Sequence, residues 1–323
     1  MKRRTLIALT TALTTTLLAT PALAQTGSKP VRIIVSFNAG GPVDTMARTL
    51  AVPLGKALGR TVIVENKPGA NGAIGANEVL RSDPDGSAIW ITSVGAAAIN
   101  PTVYPNLPYN TQRDLAPVSL VANNVELFVV NAKEPAADAA EFIANVKAGK
   151  SSPPIASSGI GSIPHLALAQ LELATGLNLL HVPYNGMAPV LNDLMGGQVA
   201  GVFADVPAVM AHVSGGRLKA LGIASPTRHP LLPNVKTFQE QGFPNVDTNN
   251  WYAMFVSAKT PPAIVAELNK AVRAAVADPE ANARIVQSGA EPKSSTPQEL
   301  ADLLKADTDK WAKLIKSRNI EVK

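Results

Sequence analysis

The sequence predicts an α/β protein organised around parallel strands and divided into two lobes. Three observations carry this expectation. Short β-rich runs alternate with helical patterns along the chain. A length of 323 residues suits two lobes. Hydrophobic residues make up 46% and charged residues only 16%, which excludes a disordered chain and allows a sizeable core.

The elements follow in order. Val31 to Phe37 reads as an apolar strand, and Thr45 to Leu58 as a helix whose Met46, Leu50 and Leu54 recur every four residues on one face. Thr61 to Glu65 is a second strand and Ala73 to Arg81 a second helix, closed by the turn Asp83-Pro84-Asp85-Gly86. Ala88 to Thr92 and Leu127 to Asn131 are further strands, followed by a helix over Ala136 to Lys147. A strand at Ile155 leads to a helix over Leu166 to Thr175, a strand over Leu179 to Val182 and a helix over Val190 to Met195. Val199 to Ala204, Leu218 to Ala224 and Trp251 to Val256 complete the strands, and Ile264 to Ala277 is helical. No internal repeat or low-complexity linker interrupts the series.

At the start of the chain Lys2, Arg3 and Arg4 precede the apolar stretch Leu6 to Leu18, which ends in Ala22-Leu23-Ala24. That is the layout of a secretory leader, with cleavage expected after Ala24. A membrane anchor needs about 20 continuously apolar residues, and five threonines between Thr10 and Thr16 interrupt this stretch. The absence of cysteine removes disulfides, thiolate catalysis and cysteine-ligated metal together. Export without disulfides suits a Gram-negative periplasm. Of the formal charge of +5, three positive charges belong to the leader, so a nucleic-acid partner has little electrostatic support.

The most informative segment is Ser36-Phe37-Asn38-Ala39-Gly40-Gly41-Pro42-Val43-Asp44, a strand, a glycine turn and a helix start. Gly40 and Gly41 let backbone approach a ligand, and Pro42 suits the first helical position. Free N–H groups at such a start form an anion site. A tight connector is the other reading of a lone Gly-Gly. A second example, Ile155 to His165, again runs through glycines into a helix. There Ser157, Ser158 and Ser162 offer hydroxyls, and His165 is either a ring N–H donor or a capping and packing residue. Hydrogen bonds to a charged group contribute about 1.5 to 3 kcal/mol each, so three or four donors plus two helix ends approach the ~8 kcal/mol of micromolar binding without an arginine. Asp44 opposes an anion at the first turn, unless it caps its own helix or accepts a bond from a ligand donor or water. A third glycine-rich run, Asn66 to Gly75, reads as structural.

In these motifs the chain resembles the Bug or TctC family, the substrate-binding components of tripartite tricarboxylate transporters. The resemblance runs through the turn at 39 to 44, Val64 to Ala70, Asp83 to Gly86, Ser158 to Ser162 with His165, and His181 to Gly186. It continues through Leu194 to Gln198, Gly215 to Leu221, Pro233 to Thr237 and Trp251-Tyr252. It implies a type II periplasmic-binding fold, two βα lobes joined by two crossing strands with a ligand cleft between. The first crossing is expected near Leu120 to Val125 and the return between Ser225 and Asn250, giving a first lobe of 25–122 and 226–323 and a second of 123–225. It also implies a small carboxylate held by the two glycine turns, partly through water, and permease subunits as membrane partners.

The family's binding positions fall here on Phe37, Gly40, Gly41, Val43 and Asp44, and on Ser157, Ser158, Gly161, Ser162 and His165. Ser93, Val94, Tyr184 and Asp205 are weaker candidates at strand ends, where α/β sheets present ligands. Tyr184 is alternatively a core or turn residue, and Asp205 a cap for the helix opening at Pro207. The first turn departs from the family pattern in Asn38, where proline is common, and in Val43, where a small hydroxyl residue or alanine is common. Val43 makes that wall more apolar and favours hydrocarbon or aromatic bulk.

A secreted enzyme is the main rival class. No G-x-S-x-G elbow, phosphate-binding P-loop or H-E-x-x-H pair is present, and Gly159-x-Gly161 is followed by Pro164 where a dinucleotide fingerprint has glycine. His165, His181, His212 and His229 lack metal-ligand spacing. The chain is therefore expected to be a non-enzymatic, cofactor-free, monomeric capture protein. Docking on a sensor rather than a permease is the alternative output.

Overall fold

The computed structural model describes residues 29–104 and 106–320, so the expected leader lies outside them. The first half of the chain forms β1 (Val31–Val35), α1 (Pro42–Leu58), β2 (Val62–Asn66), α2 (Ala73–Arg81), β3 (Ala88–Ser93), α3 (Asn100–Val103), α4 (Thr111–Asp114) and β4 (Leu115–Asn131). Next come α5 (Ala139–Gly149), β5 (Pro154–Ser157), α6 (Ile163–Thr175), β6 (Leu180–Pro183), α7 (Met187–Met195), β7 (Gly201–Asp205), α8 (Val206–Ser214) and β8 (Leu218–Ile223). The chain closes with β9 (Asn249–Ser257), α9 (Pro262–Ala277), α10 (Pro279–Gln287), β10 (Glu291–Pro292) and α11 (Pro297–Ser317).

Two strands organise the molecule. In one lobe β2, β1 and β3 run parallel, and β9 adds antiparallel to β3. β4 then changes partner along its own length: Leu115 to Val125 pairs with β9, whereas Glu126 to Val129 pairs with β7 of the other lobe. Parallel β5 and β6 extend that second sheet beyond β7, while β8 pairs with the opposite side of β4. The strand order is β2-β1-β3-β9-β4-β7-β5-β6.

Burial follows the two-residue period of strands. In β1, Val31, Ile33 and Val35 enter one core while Ile34 enters the core on the opposite face. β9 repeats this, with Trp251, Ala253 and Phe255 on one face and Tyr252, Met254 and Val256 on the other. In the second lobe Phe128 and Val130 face one core, Leu127 and Val129 another. Strands buried on both faces read as continuous apolar runs, which explains why they were visible in the sequence.

Three features differ from the expectation. β4 begins at Leu115 rather than Leu127, because Pro117 and the polar residues Ser119, Asn123, Asn124 and Glu126 break the apolar pattern. Pro117 sits at a register shift, the position where a strand tolerates proline. Phe238 and Val246, which follow the expected end of the second lobe at 225, are buried in the core that contains Phe128. Finally, α10 and α11 were not among the expected helices. α11 opens with a reciprocal capping box between Thr296 and Glu299, a local signal that was present in the sequence.

Candidate functional site

The carboxyl ends of β1, β3, β5, β6 and β7 deliver their following loops to one cleft of about 960 Å³, lined from both lobes. This is where parallel α/β sheets present ligands.

At the first turn Gly40 adopts φ +81°, a conformation that favours glycine, and Gly41 caps α1 without any side-chain bond. Pro42 opens the helix, so the N–H groups of Val43 and Asp44 are first-turn donors without intrahelical acceptors. Phe37, Gly40, Gly41 and Val43 line the cleft. Asp44 does not. Its carboxylate, only 2% exposed, accepts from Gly40 N–H at 2.8 Å, Asn66 Nδ2 at 2.8 Å and Arg48 Nε at 3.0 Å. Burial opposes ionisation of Asp44, but the bonds from Arg48, Gly40 and Asn66 outweigh it and hold the carboxyl below its ordinary range. Asp44 therefore braces the turn from behind, with its charge matched by Arg48.

The second turn divides in the same way. Ser158 and Ser162 line the cleft, and Ser162 caps α6 without a side-chain bond to the helix. The Ser162 hydroxyl donates instead to Gly159 O at 2.7 Å and closes the turn. Ser157, Gly161 and His165 lie off the cleft wall. Ser157 Oγ is 2.7 Å from His181 Nε2. Gly161 has φ +74° and sits so close to Val103 that an added Cβ would lie 2.8 Å from its side chain. His165 Nδ1 accepts from Gly161 N–H at 3.1 Å, and its ring stacks on His181 with centroids 3.8 Å apart. Burial, then the neighbouring His181 and Arg318, pulls His165 down to about 3, and burial pulls His181 down to about 4. Both rings are neutral supports for the turn.

Of the remaining candidates, Ser93, Tyr184 and Asp205 line the cleft and Val94 is fully buried away from it. Tyr184 donates to Asp193 at 2.6 Å. Asp205 occupies the capping position of α8, yet its carboxylate makes no capping bond there. It accepts from Asn250 Nδ2 at 2.6 Å and from the Tyr252 hydroxyl.

Several wall residues escaped sequence reasoning. The third glycine run, expected to be structural, contributes Pro68 to Gly72 to the cleft. Gly72 packs so tightly that an added Cβ would meet Ala96 at 2.7 Å, and its carbonyl accepts from Ser36 Oγ. The uncapped start of α7, Met187 to Pro189, also lines the wall, as do Asn250 and Tyr252 of β9. The strand-glycine-helix signal that marked the first two turns was equally present at Gly186. Asn250 and Tyr252 carried no local signal, being strand residues like their neighbours.

The cleft is electrostatically distinctive. Among the described residues its wall contains no lysine, arginine or histidine, and Asp205 is its one carboxylate. Positive potential comes instead from the helix starts. No group of three or more His, Cys, Asp or Glu able to hold a metal occurs among the described residues.

A sequence model of the tripartite tricarboxylate transporter family receptor, TctC, matches residues 46–320. The chain belongs to the TctC family. A solved periplasmic binding protein, BugD, is 34% identical and superposes with a TM-score of 0.83, covering 91% of this chain and 99% of that one. MatC from Rhodopseudomonas palustris, solved with bound malate, is 29% identical with a TM-score of 0.81, covering 88% and 98%. Rpa4515 from R. palustris, solved with adipate, is 29% identical with a TM-score of 0.86, covering 91% and 99%. The fold is thus that of periplasmic binding proteins, and TctC proteins are binding receptors rather than enzymes.

Proposed function

We propose that this TctC protein captures a small organic carboxylate, aliphatic or aromatic, and delivers it to the permease subunits of a tripartite tricarboxylate-type transporter. One observation supports this above the others: α1 and α6, from opposite lobes, both start without side-chain caps at a cleft that lacks basic side chains. In this reading the N–H groups beside Gly41 and Ser162, with the Ser158 hydroxyl, hold one carboxylate. Charged hydrogen bonds contribute about 1.5 to 3 kcal/mol each, enough in a set of three or four for micromolar affinity. The acids bound by MatC and Rpa4515 are compatible with that chemistry.

The proposal includes export with cleavage after Ala24 and a monomeric receptor whose lobes hinge where β4 and β9 cross. The first lobe comprises 25–125 and 249–323, and the second lobe 126–248, a division supported by the partner exchange within β4 and the packing of Phe238. Thermal-shift screening of aliphatic, amino-substituted and aromatic carboxylates, followed by calorimetry, tests capture. Stabilisation by none of them sinks the carboxylate reading. Ligand-dependent crosslinking to permease subunits in membranes tests delivery, and crosslinking to a sensor alone would replace transport with signalling.

A further inference from the structure

We infer that Asp205 marks a second subsite in the cleft, which takes the ammonium group of an amino-substituted carboxylate. Its residues differ from those assigned to the carboxylate, and the inference rests on that carboxylate reading.

The observations concern β4, β7 and β9, where they meet beside the cleft. Glu126, 0% exposed, stands directly opposite Asp205 in the β4–β7 register. Asn250, 6% exposed, donates through the same Nδ2 to Asp205 Oδ1 at 2.6 Å and Glu126 Oε1 at 3.3 Å. The Tyr252 hydroxyl donates to the other Asp205 oxygen. Several polar atoms are left over. Glu126 Oε2 and Asn250 Oδ1 are buried and have no hydrogen-bond partner, and neither has the amide of Asn124, which stands opposite Asn250 in the β4–β9 register. Reversing Asn250 would aim its carbonyl at the Asp205 carboxylate, which fixes the amide orientation.

Asp205 therefore lines the cleft with no basic side chain on the neighbouring wall, beside the unsatisfied carbonyl of Asn250. A buried acceptor without a donor is unfavourable until one arrives. Burial, then the charge of Asp205, pushes Glu126 well above the ordinary carboxyl range, so Glu126 keeps its proton as an O–H donor and Asp205 carries the charge of the pair. One ammonium matches that charge and brings three N–H donors. A divalent cation does not match, because two carboxyl groups, one of them protonated, fall short of the several oxygen ligands it requires. A second ligand carboxylate placed here would face Asp205 with no cation between them.

Polarity along the cleft follows from the fold. The first-turn N–H groups of α1 and α6 present donors, while Asp205, backed by Glu126 and Asn250, presents acceptors. A ligand with a carboxylate and an ammonium is complementary to both.

Calorimetry on the mature chain with two matched pairs tests the inference: aspartate against succinate, and 6-aminohexanoate against adipate. The expected result is that the amino member of at least one pair binds about tenfold or more tighter, the scale of one hydrogen bond to a charged group. Asp205→Asn should abolish that preference by weakening the amino member about tenfold, without weakening the amino-free diacid, whose second carboxylate no longer faces a charge. Binding of both members without preference, or a preference untouched by Asp205→Asn, overturns the ammonium subsite and leaves the carboxylate reading standing. Failure of all four acids, together with every acid of the wider screen, overturns the carboxylate reading itself. Should Asp205→Asn fail to fold, the wild-type comparison decides: equal affinities overturn the subsite, and a tenfold preference supports it.

Discussion

Asp44 Oδ2 accepts the N–H of Gly40 at 2.8 Å, so the helix that begins at Pro42 reaches back and fixes the turn preceding it. Asn66 ties the same carboxylate to the carbonyl of Phe37. Asp44→Ala removes the bonds from Gly40, Asn66 and Arg48 to the carboxylate and frees a left-handed glycine. Carboxylate affinity should drop by about tenfold or more, with a stability loss of about 1 to 3 kcal/mol. Calorimetry and urea melts measure the two effects, and unchanged affinity would show that the turn does not contact the ligand.

The two serines on the cleft wall should separate cleanly. Ser162 Oγ is engaged within its own turn, whereas Ser158 Oγ has no such bond among the described residues. Ser158→Ala should therefore weaken carboxylate binding about tenfold with Tm unchanged, the scale of one charged hydrogen bond. Ser162→Ala should lower Tm and affect binding through the loosened turn. Equal affinities for wild type and Ser158→Ala would remove that hydroxyl from the site.

Contact between the lobes at Gly161 offers a third test. Any side chain there meets both an unfavourable backbone conformation and Val103, 2.8 Å from the new Cβ. Gly161→Ala should lower Tm and weaken ligand binding. Adding Val103→Ala should recover part of the loss, the part due to collision, while the backbone component persists. No recovery in the double variant would assign the whole effect to backbone.

The stacked His165 and His181 predict acid sensitivity. Both are depressed in the folded protein, to about 3 and about 4, from an ordinary value of 6.5. Below about pH 6.5 the unfolded chain binds protons that the folded protein excludes, so stability falls as pH drops toward 4. Their contribution is fully retained above that range. Melting curves from pH 7.5 to 4.5 should show this fall, and His165→Gln should flatten it. An identical slope in the variant would place the acid sensitivity elsewhere.

Much of the architecture was legible because its signals are local. Strand, glycine turn and helix follow one another within twelve residues at Ile33 to Asp44, and backbone sterics favour Gly40 and Pro42 in that arrangement. The apolar pattern marked β4 only at Leu127 to Asn131, and the family resemblance placed a crossing strand at Leu120 to Val125. The first part of β4 carries Pro117 and Glu126, residues that look foreign to a strand until β9 and β7 pair with it.

The sequence by itself determined the α/β class, the family and the two turns that open the cleft, since period, glycine spacing and motif order are properties of neighbouring residues. Only the tertiary structure decided which side of each turn faces the cleft. Asp44, Ser157 and His165 support the turns from behind, and Val43, Ser158 and Ser162 line the wall. It also brought Glu126 to Asn250, 124 residues away, to form the acid group beside the cleft. The physical reason is range: local conformation follows from sterics within a few residues, while burial and charge depend on which distant strands meet.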